Sequence, residues 1–301
     1  MKPRLIVAGG TGGHVYPAIS FALHLVREDK KVIFLTDRRG MKYLEPHQDL
    51  LNPITLPLDR KGTGVLGLVK LTLQFIHSFF VSFKYVLASK VVMGFSGFPT
   101  FATLMAGLVL GRDLCVHEQN AVLGKVNRWL APAVKKIFIS TKAISKVPSS
   151  ALSKLEHVGM PVRSDIAALA NQTYEMPHET IHLLITGGSQ GAQSFSDVIP
   201  KAIALLPQNL QQRVEIVHQV RDDDHLHAKE IYEATTVKNL SIVSYVDDMA
   251  RELEKAHLAI VRSGASTIAE LCAAGRPAIM VPYPFATDDH QTFNAREITR
   301  L

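Results

Sequence analysis

The sequence predicts an α/β protein built from two similar halves, each containing a doubly wound parallel sheet. One observation is the length of 301 residues, which exceeds one average domain and is comfortable for two. A second is a short apolar run near the N-terminus that leads into a glycine-rich turn and then a helical pattern. A third is the later return of the same features: the two turns begin at Gly9 and Gly187, 178 residues apart (187 − 9). A strand, a glycine turn, a helix and a second strand form the opening unit of a doubly wound sheet.

The hydrophobic pattern predicts four elements in each repeat. The first repeat consists of strand 5–8, turn 9–14 (GGTGGH), helix 19–26 and strand 31–37. The second consists of strand 181–186, turn 187–192 (GGSQGA), helix 198–206 and strand 214–218. Neither turn has the spacing G-x-G-x-x-G, and no acidic residue is clearly placed to bind a ribose after the first turn. NAD or FAD binding is therefore disfavoured.

The junction between the halves is expected near residues 157–165, where Gly159 and Pro161 lie close together in the chain. The sequence therefore predicts two Rossmann-like domains, residues 1–162 and residues 163–301.

Composition narrows the class of protein. Hydrophobic residues make up 47% of the chain and charged residues 20%, so a sizeable core is expected and extensive disorder is not. The net charge of +6 weakly favours an anionic partner, which includes a nucleotide phosphate, an acidic membrane surface or a nucleic acid. A solvated basic surface without a special partner is the alternative. The two cysteines, Cys115 and Cys272, have no CxxC spacing, which favours a reducing compartment and argues against a disulfide scaffold or zinc site.

The N-terminal apolar run is too short for the apolar region of a signal peptide. No segment contains the ~20 uninterrupted apolar residues that a membrane-spanning helix needs. A cytoplasmic protein is therefore expected.

The two glycine turns are candidate phosphate sites. A glycine turn lets backbone N–H groups approach a phosphate, and the helix that follows favours negative charge. The turns also carry the hydroxyls of Thr11 and Ser189. The alternative is that the glycines only permit a tight turn between strand and helix.

His14 is a candidate general base, because it ends the first turn at the start of a helix. The positive end of the helix dipole disfavours imidazolium there and leaves a neutral ring that can accept a proton. A structural histidine packed against Pro17 is the alternative.

Two further polar clusters follow predicted strands, where open α/β sheets bind ligands. Residues 117–120 (HEQN) follow strand 113–116, and position 121 is not histidine, so a zinc protease motif is excluded. Residues 262–270 (RSGASTIAE) follow strand 258–261. There Ser263 or Ser266 can cap a helix, and Glu270 lies on the same helix face as Ser266, where it can accept from ribose hydroxyls. A polar loop and an ordinary capped helix are the alternatives.

The paired Asp288 and Asp289 are expected to be solvated, and no metal site is predicted.

Residues 65–88 form an unusually apolar segment. Lys70, His77 and Lys84 recur every seven residues, which on a helix places them within about 40° of one face. This pattern predicts an interfacial helix with a basic stripe that binds anionic lipid. A buried helix whose lysines extend to solvent is the alternative.

Five motifs in order closely resemble the MurG family of peptidoglycan N-acetylglucosaminyltransferases. These are residues 9–18 (GGTGGHVYPA), 117–120 (HEQN), 159–163 (GMPVR), 187–192 (GGSQGA), and 263–265 (SGA) with Glu270. The resemblance runs from the first strand to the last residue, and the joint pattern is specific where each motif alone is not.

The resemblance implies the GT-B fold, in which two Rossmann-like domains with parallel sheets face a cleft. It implies inverting transfer of N-acetylglucosamine from UDP-GlcNAc to the C4 hydroxyl of the muramoyl sugar of undecaprenyl-pyrophosphoryl-MurNAc-pentapeptide (lipid I), which gives lipid II. The N-terminal domain would then face the acceptor and the membrane, and the C-terminal domain would bind the donor. The enzyme is expected at the cytoplasmic face of the inner membrane as a peripheral protein on an anionic surface. No cofactor, metal or nucleic acid partner is expected.

The resemblance also implies the roles of individual residues. His14 corresponds to the family's candidate base. The uracil is expected at the backbone of Val246, the ribose at Glu270, the sugar at Gln291, and the phosphates at Arg163 and Ser189. The full implied donor site is Thr11, Gly12, Gly13, Asn120, Arg163, Ser189, Val246, Ala265, Ser266, Thr267, Glu270 and Gln291.

Two departures from the family pattern remain. The family's tandem glutamine reads His290-Gln291 here, which leaves the first of those sugar contacts open. The chain also stops at Leu301, whereas the family pattern continues for roughly fifty residues, so a fragment or a shortened variant is expected. Two alternatives are a sugar-nucleotide epimerase of the same fold and a truncated protein that binds UDP-sugar without transferring it.

Overall fold

The computed structural model describes residues 2–58, 64–188 and 191–299. The chain divides into two compact units, Met1–Pro161 and Val162–Leu301. The division falls one residue before the boundary expected from the sequence.

In the described part of the first unit, seven parallel strands form one sheet in the order β3-β2-β1-β4-β5-β6-β7. The strands are β1 Arg4–Val7, β2 Val32–Asp37, β3 Ile54–Leu56, β4 Val91–Gly94, β5 Asp113–Glu118, β6 Lys136–Ile139 and β7 Leu155–His157. The helices are α1 Gly12–Arg27, α2 Arg38–Leu44, α3 Gln48–Leu51, α4 Gly64–Ala88, α5 Phe98–Val109 and α6 Lys125–Leu130.

In the described part of the second unit, five parallel strands form a sheet in the order β10-β9-β8-β11-β12. The strands are β8 Ile181–Thr186, β9 Val214–Gln219, β10 Asn239–Val243, β11 Leu258–Val261 and β12 Ala278–Met280. The helices are α7 Ser164–Ala167, α8 Gln193–Ala204, α9 Gln208–Gln211, α10 His225–Tyr232, α11 Met249–Lys255, α12 Ala265–Ala274 and α13 His290–Ile298.

The central strands are apolar on both faces because helices cover both faces of a parallel sheet. In β1, Leu5 and Val7 belong to one buried cluster, whereas Ile6 between them belongs to another. In β8, Leu183 and Leu184 divide between two clusters in the same way. Successive side chains of a strand point to opposite faces, so each sheet has a core on both sides.

The strand order reverses direction next to the first strand of each unit, between β1 and β4 and between β8 and β11. Open α/β sheets bind ligands at the carboxyl ends of the strands beside such a reversal. Each glycine turn directly follows the strand at this position. The topology therefore puts both predicted turns at their unit's expected ligand edge.

Helix α4 differs from an ordinary core helix. Its buried residues are Ser78, Ser82 and Val86, and Ser82 shares a 2.8 Å hydrogen bond with Thr103 of α5. Many of its large apolar residues are exposed, as Leu66 is at 85%, whereas Phe79, Val81, Phe83 and Tyr85 are partly buried against the core of the unit. Helix α4 is therefore not a fully buried helix, although its C-terminal half packs against the core of the first unit.

Among the described residues, α4 is the one helix long and apolar enough to cross a membrane by length and composition. The expectation that no segment meets this requirement overlooked it. The expectation was based on a run of uninterrupted apolar residues. The mean hydropathy of α4 is high even though the helix contains a few polar residues.

Candidate functional site

The first glycine turn connects β1 to α1 at the ligand edge of the first sheet. Gly10 has φ +91°, a conformation that favours glycine, and α1 begins at Gly12 with Thr11 as its N-cap. The first-turn N–H groups of Gly12 and Gly13 are those an α-helix cannot pair internally, so they can face an anion.

Asp37 supports this turn from the end of β2. Its side chain is 1% exposed, and its Oδ1 accepts hydrogen bonds from the backbone N–H of Gly10 and of Gly40, each at 2.9 Å. Its Oδ2 also accepts from Arg39 at 3.1 Å. Sequence reasoning looked for an acidic ribose ligand after the turn and missed Asp37, whose position at a strand end was the available signal.

His14 lies in the first turn of α1 and contacts the loop after β5. Its Nδ1 donates to Oε1 of Gln119 at 3.0 Å. A Cβ added to Gly97 would lie 3.4 Å from the His14 ring, so the segment before α5 also limits the space around it. The structure therefore brings together the first turn and the HEQN motif, two features that are 105 residues apart.

Glu118 braces the loop that carries Asn120. The carboxylate is buried and accepts from the backbone N–H of Asn120 at 3.1 Å and of Gly124 at 2.8 Å. It also accepts from Nδ2 of Asn120 at 3.2 Å, from Nδ2 of Asn127 at 2.9 Å and from the hydroxyl of Ser96 at 3.2 Å. Sequence reasoning missed Ser96 and Asn127, because no pattern connects them to residue 118.

The predicted strand before this loop ended at Val116, but β5 continues to Glu118. His117 and Glu118 are therefore buried strand residues, and only Gln119 and Asn120 begin the loop.

The second glycine turn lies at the equivalent edge of the second sheet. Gly188 and Gly191 have φ +82° and +69°. A Cβ added to Gly187 would lie 2.4 Å from the backbone nitrogen of Ala192, so glycine is needed there for close packing as well. Ser189, the predicted phosphate contact, lies outside the described residues.

The cluster after β11 forms the start of α12. Ala265, Ser266 and Thr267 make up its first turn and are half-buried. The predicted serine cap is wrong: the N-cap is Gly264, and the hydroxyl of Ser263 donates to the carbonyl of Gln291 at 2.9 Å.

Glu270 and Arg163, predicted separately, form an ion pair in the second unit. Nε of Arg163 donates to Oε1 of Glu270 at 3.0 Å, and both side chains are largely buried. Burial raises the pKa of the Glu270 carboxyl, and the Arg163 charge opposes that rise. The pair therefore keeps a carboxylate ready to accept hydrogen bonds in a poorly solvated place.

The remaining predicted residues of this unit, Val246 and Gln291, lie after β10 and in α13. Val246 follows β10 and is buried, with 6% exposure. Gln291 lies in the first turn of α13, and its Oε1 accepts from the backbone N–H of Tyr283 at 2.9 Å.

Arg262 connects several of these segments and was not predicted as a site residue. Its guanidinium donates to the Ser194 hydroxyl at 2.7 Å and to the carbonyls of Val281 and Pro282. It also lies 4.6 Å from the centre of the Phe195 ring. Arg262 therefore links the start of α8 to the loop after β12.

The predicted residues that the structure describes thus divide between the two units. Thr11, Gly12, Gly13, His14 and Asn120 belong to the first unit. Arg163, Val246, Ala265, Ser266, Thr267, Glu270 and Gln291 belong to the second.

Family models match most of the chain. The glycosyltransferase family 28 N-terminal domain matches residues 5–139, and the glycosyltransferase family 28 C-terminal domain matches residues 182–301.

Curated relatives align over nearly the whole chain. A UDP-N-acetylglucosamine–N-acetylmuramyl-(pentapeptide) pyrophosphoryl-undecaprenol N-acetylglucosamine transferase of Caulobacter vibrioides is 38% identical over 298 residues, 98% of this chain and 82% of the relative. The enzyme of the same name from Rhodospirillum rubrum is 40% identical over 300 residues, 98% of this chain and 76% of the relative.

Solved structures share the fold. MurG of Acinetobacter baumannii is similar with a TM-score of 0.72 and 26% identity, covering 99% of this chain and 83% of that one. A UDP-GlcNAc 2-epimerase from Neisseria meningitidis has a TM-score of 0.63 at 13% identity, covering 99% of this chain and 90% of that one, a likeness of fold alone. The two Rossmann-like units with parallel sheets and these matches confirm the α/β GT-B fold.

Because both family 28 domains match in order and curated relatives align at 38–40% identity over 98% of the chain, the chain belongs to glycosyltransferase family 28 and, within it, to the MurG family of N-acetylglucosamine transferases.

Proposed function

We propose that this chain transfers N-acetylglucosamine from UDP-GlcNAc to the C4 hydroxyl of the muramoyl sugar of lipid I, with inversion at the anomeric carbon, forming lipid II. The observation that carries the proposal is the alignment with transferases of this name over 98% of the chain. Support also comes from the two glycine turns, which follow the strand beside the order reversal in each sheet.

The donor is assigned to the second unit. Glu270 accepts from the ribose hydroxyls, and Arg163, paired with it at 3.0 Å, provides positive charge for the diphosphate. The first turn of α12 offers backbone N–H groups to the same phosphates. The backbone of Val246 binds the uracil, and Gln291 binds the sugar.

His14 is assigned as the general base. It accepts the proton of the C4 hydroxyl while the hydroxyl oxygen forms a bond to the anomeric carbon and UDP departs with the electrons of the broken bond. Support comes from its position at the start of α1, where the helix dipole favours a neutral ring, and from its hydrogen bond to Gln119.

Replacing His14 tests this assignment. Because general-base catalysis contributes about 10²- to 10⁴-fold, His14→Ala is expected to lower turnover by that factor. Calorimetric titration with UDP-GlcNAc should show affinity within a few-fold of the wild type. His24→Ala is the matched control, since His24 is an exposed residue of the same helix. Unchanged turnover of His14→Ala would remove His14 from the mechanism.

The outer face of α4 is assigned to the membrane, which makes the protein a peripheral enzyme at the cytoplasmic face of the inner membrane. We call this face the α4 surface. Its exposed residues include Val65, Leu66, Leu68, Val69, Leu73, Ile76, Phe80 and Leu87, together with Trp129 beside α5. The ring of Trp129 contacts Phe101 at 5.9 Å, and Phe101 contacts Phe75 of α4 at 5.3 Å, so the tryptophan adjoins this face.

An interfacial position is favoured over a spanning one. Ser78, Ser82 and Val86 attach α4 to its unit, and Lys70 and Lys84 lie only ~21 Å apart along the helix axis. The lysines and His77 are exposed, and α4 contains no Asp or Glu. Apolar side chains with adjacent basic residues are the composition that binds anionic lipid surfaces.

A further inference from the structure

Three polar side chains near the first glycine turn form one continuous hydrogen-bonded chain. Nδ1 of His14 lies 3.0 Å from Oε1 of Gln119. Nε2 of Gln119 lies 3.2 Å from Nδ1 of His117, and Nε2 of His117 lies 3.0 Å from the carbonyl oxygen of Gly159. All four residues belong to the first unit.

The chemistry of these groups fixes every donor and acceptor in the chain. A carbonyl oxygen only accepts, so Nε2 of His117 carries a hydrogen and donates it to Gly159. Nδ1 of a neutral His117 ring then has the lone pair, which accepts from the amide Nε2 of Gln119. The amide oxygen of Gln119 must therefore face His14, whose Nδ1 carries the hydrogen.

The reversed amide orientation is unfavourable. It would place the oxygen of Gln119 against Nδ1 of His117 and near the carbonyl oxygen of His117, which now lies 3.3 Å from the amide nitrogen. His117 would need a second proton. Its ring is 2% exposed and stacks on Phe95 with centres 5.3 Å apart. Burial lowers the pKa of His117, although the neighbouring Glu118 carboxylate acts in the opposite direction.

We propose that Gln119 is a positioning residue that keeps the ring hydrogen of His14 on Nδ1, and that His117 fixes the direction of the Gln119 amide. The proposal rests on the proposed role of His14 as the base. With its hydrogen on Nδ1, the ring has its lone pair on Nε2, which is the nitrogen that takes the proton of the acceptor hydroxyl. The imidazolium that results keeps its Nδ1–H bond to Gln119.

An amide suits this role better than a carboxylate. A carboxylate beside His14 would raise the pKa of the ring and favour imidazolium, which cannot accept a proton. A neutral amide sets the orientation and tautomer of the ring without adding a charge.

Nitrogen-15 NMR of the histidine rings tests the proposal directly, because ring nitrogen shifts report the tautomer. In the wild type, His14 is expected to carry its hydrogen on Nδ1, with its signals assigned from their loss in His14→Gln. Gln119→Met keeps the approximate volume and removes both polar contacts. In that variant His14 should shift toward the Nε2–H form that free imidazole side chains favour, and turnover should fall on the order of 10-fold or more.

Other variants separate this role from general damage to the fold. Gln208→Met changes an exposed glutamine of the second unit and should leave the His14 signals and the turnover unchanged. His117→Asn keeps an acceptor near the position of Nδ1 and should retain the His14 tautomer. His117→Phe removes the acceptor and should allow the tautomer to mix.

Two results would overturn the proposal: a wild-type His14 with its hydrogen on Nε2, or His14 signals that do not respond to Gln119→Met. If the signals respond as expected while His14→Ala retains full turnover, the positioning role of Gln119 is supported and the assignment of His14 as the base fails. If His14→Ala loses turnover while the ring hydrogen of wild-type His14 lies on Nε2, the assignment of His14 as the base is supported and the positioning role of Gln119 fails.

Discussion

His218 and Tyr232 form a buried polar pair in the second unit. Nδ1 of His218 lies 3.0 Å from the Tyr232 hydroxyl, and both residues are almost fully buried. Burial, with a smaller effect of His225, lowers the pKa of His218 to about 4, and burial raises the pKa of Tyr232. The folded protein therefore keeps this histidine neutral in a range where an unfolded chain protonates it.

This pair predicts acid sensitivity of the fold. An unfolded histidine has a pKa near 6.5, so between pH 6.5 and about 4 the unfolded chain binds a proton that the folded chain does not. The contribution of His218 is thus complete above pH 6.5 and is lost as the pH falls toward 4. The loss amounts to about 3 kcal/mol in the free energy of unfolding at pH 4.

Urea unfolding followed by circular dichroism between pH 4 and pH 7 measures the effect. His218→Phe should have a flatter pH dependence than the wild type, whatever its absolute stability. His178→Phe is the control, because His178 is exposed in the same unit. Equal slopes for His218→Phe and the wild type would contradict the prediction.

At the same scale, the sequence located clusters of polar residues but did not predict the contacts that each residue makes. The HEQN motif was predicted as a ligand cluster, but His117 and Glu118 are buried within β5, and Glu118 holds the loop in place. The sequence alone could not show which of these four polar residues are buried in the strand and which lie in the loop. The answer depends on where the strand ends and on which of its side chains face the core. Asp37 was not predicted as a support of the first turn, because its contact with Gly10 also depends on where β2 ends.

Among the elements, α4 is apolar on its exposed face as well as on the face that packs against its unit. Small polar residues, Ser78 and Ser82, face its own unit, whereas Leu66 and Phe80 are 85% and 66% exposed. Exposed apolar surface of this extent indicates a binding partner or a membrane. The α4 surface therefore carries the proposed membrane contact.

Vesicle pelleting with and without anionic lipid tests the α4 surface. Replacing Leu66 and Phe80 together by glutamine should weaken binding at least about 10-fold, because their apolar area no longer enters the lipid. Replacing Lys70 and Lys84 by glutamine should reduce the preference for anionic lipid by roughly fivefold for each lysine.

The matched control replaces Leu205 and Leu226 by glutamine, since these leucines of the second unit are equally exposed, at 86% and 77%. Their loss should leave vesicle binding unchanged. Equal pelleting with anionic and neutral vesicles, or none with either, would remove the membrane assignment.

The central strands were predicted well from the sequence because buried parallel strands read as continuous apolar runs. The predictions 181–186 and 258–261 match β8 and β11 and are confirmed. The start of α12 was not predicted correctly, since Ser263 bonds to the carbonyl of Gln291 in α13. A capping pattern cannot reveal such a competing partner, which lies 28 residues away in the chain.

For the whole molecule, repetition was the most informative feature of the sequence. The two glycine turns, 178 residues apart (187 − 9), predicted two halves, and both sheets place their first strand beside an order reversal. The ion pair between Arg163 and Glu270 could not be predicted from spacing, because it joins residues 107 apart through the tertiary fold. The motifs supplied the residues, and the packing of each unit supplied their partners.

The central claim is that this chain transfers N-acetylglucosamine to a lipid-linked acceptor. The most direct measurement is incubation of the wild-type chain with radiolabelled UDP-GlcNAc and a lipid I analogue, with analysis of the labelled lipid. The account predicts one β-linked N-acetylglucosamine per acceptor and release of UDP, with no conversion of the donor when the acceptor is omitted. Binding of UDP-GlcNAc without a labelled lipid, or epimerisation of the sugar without an acceptor, would contradict it.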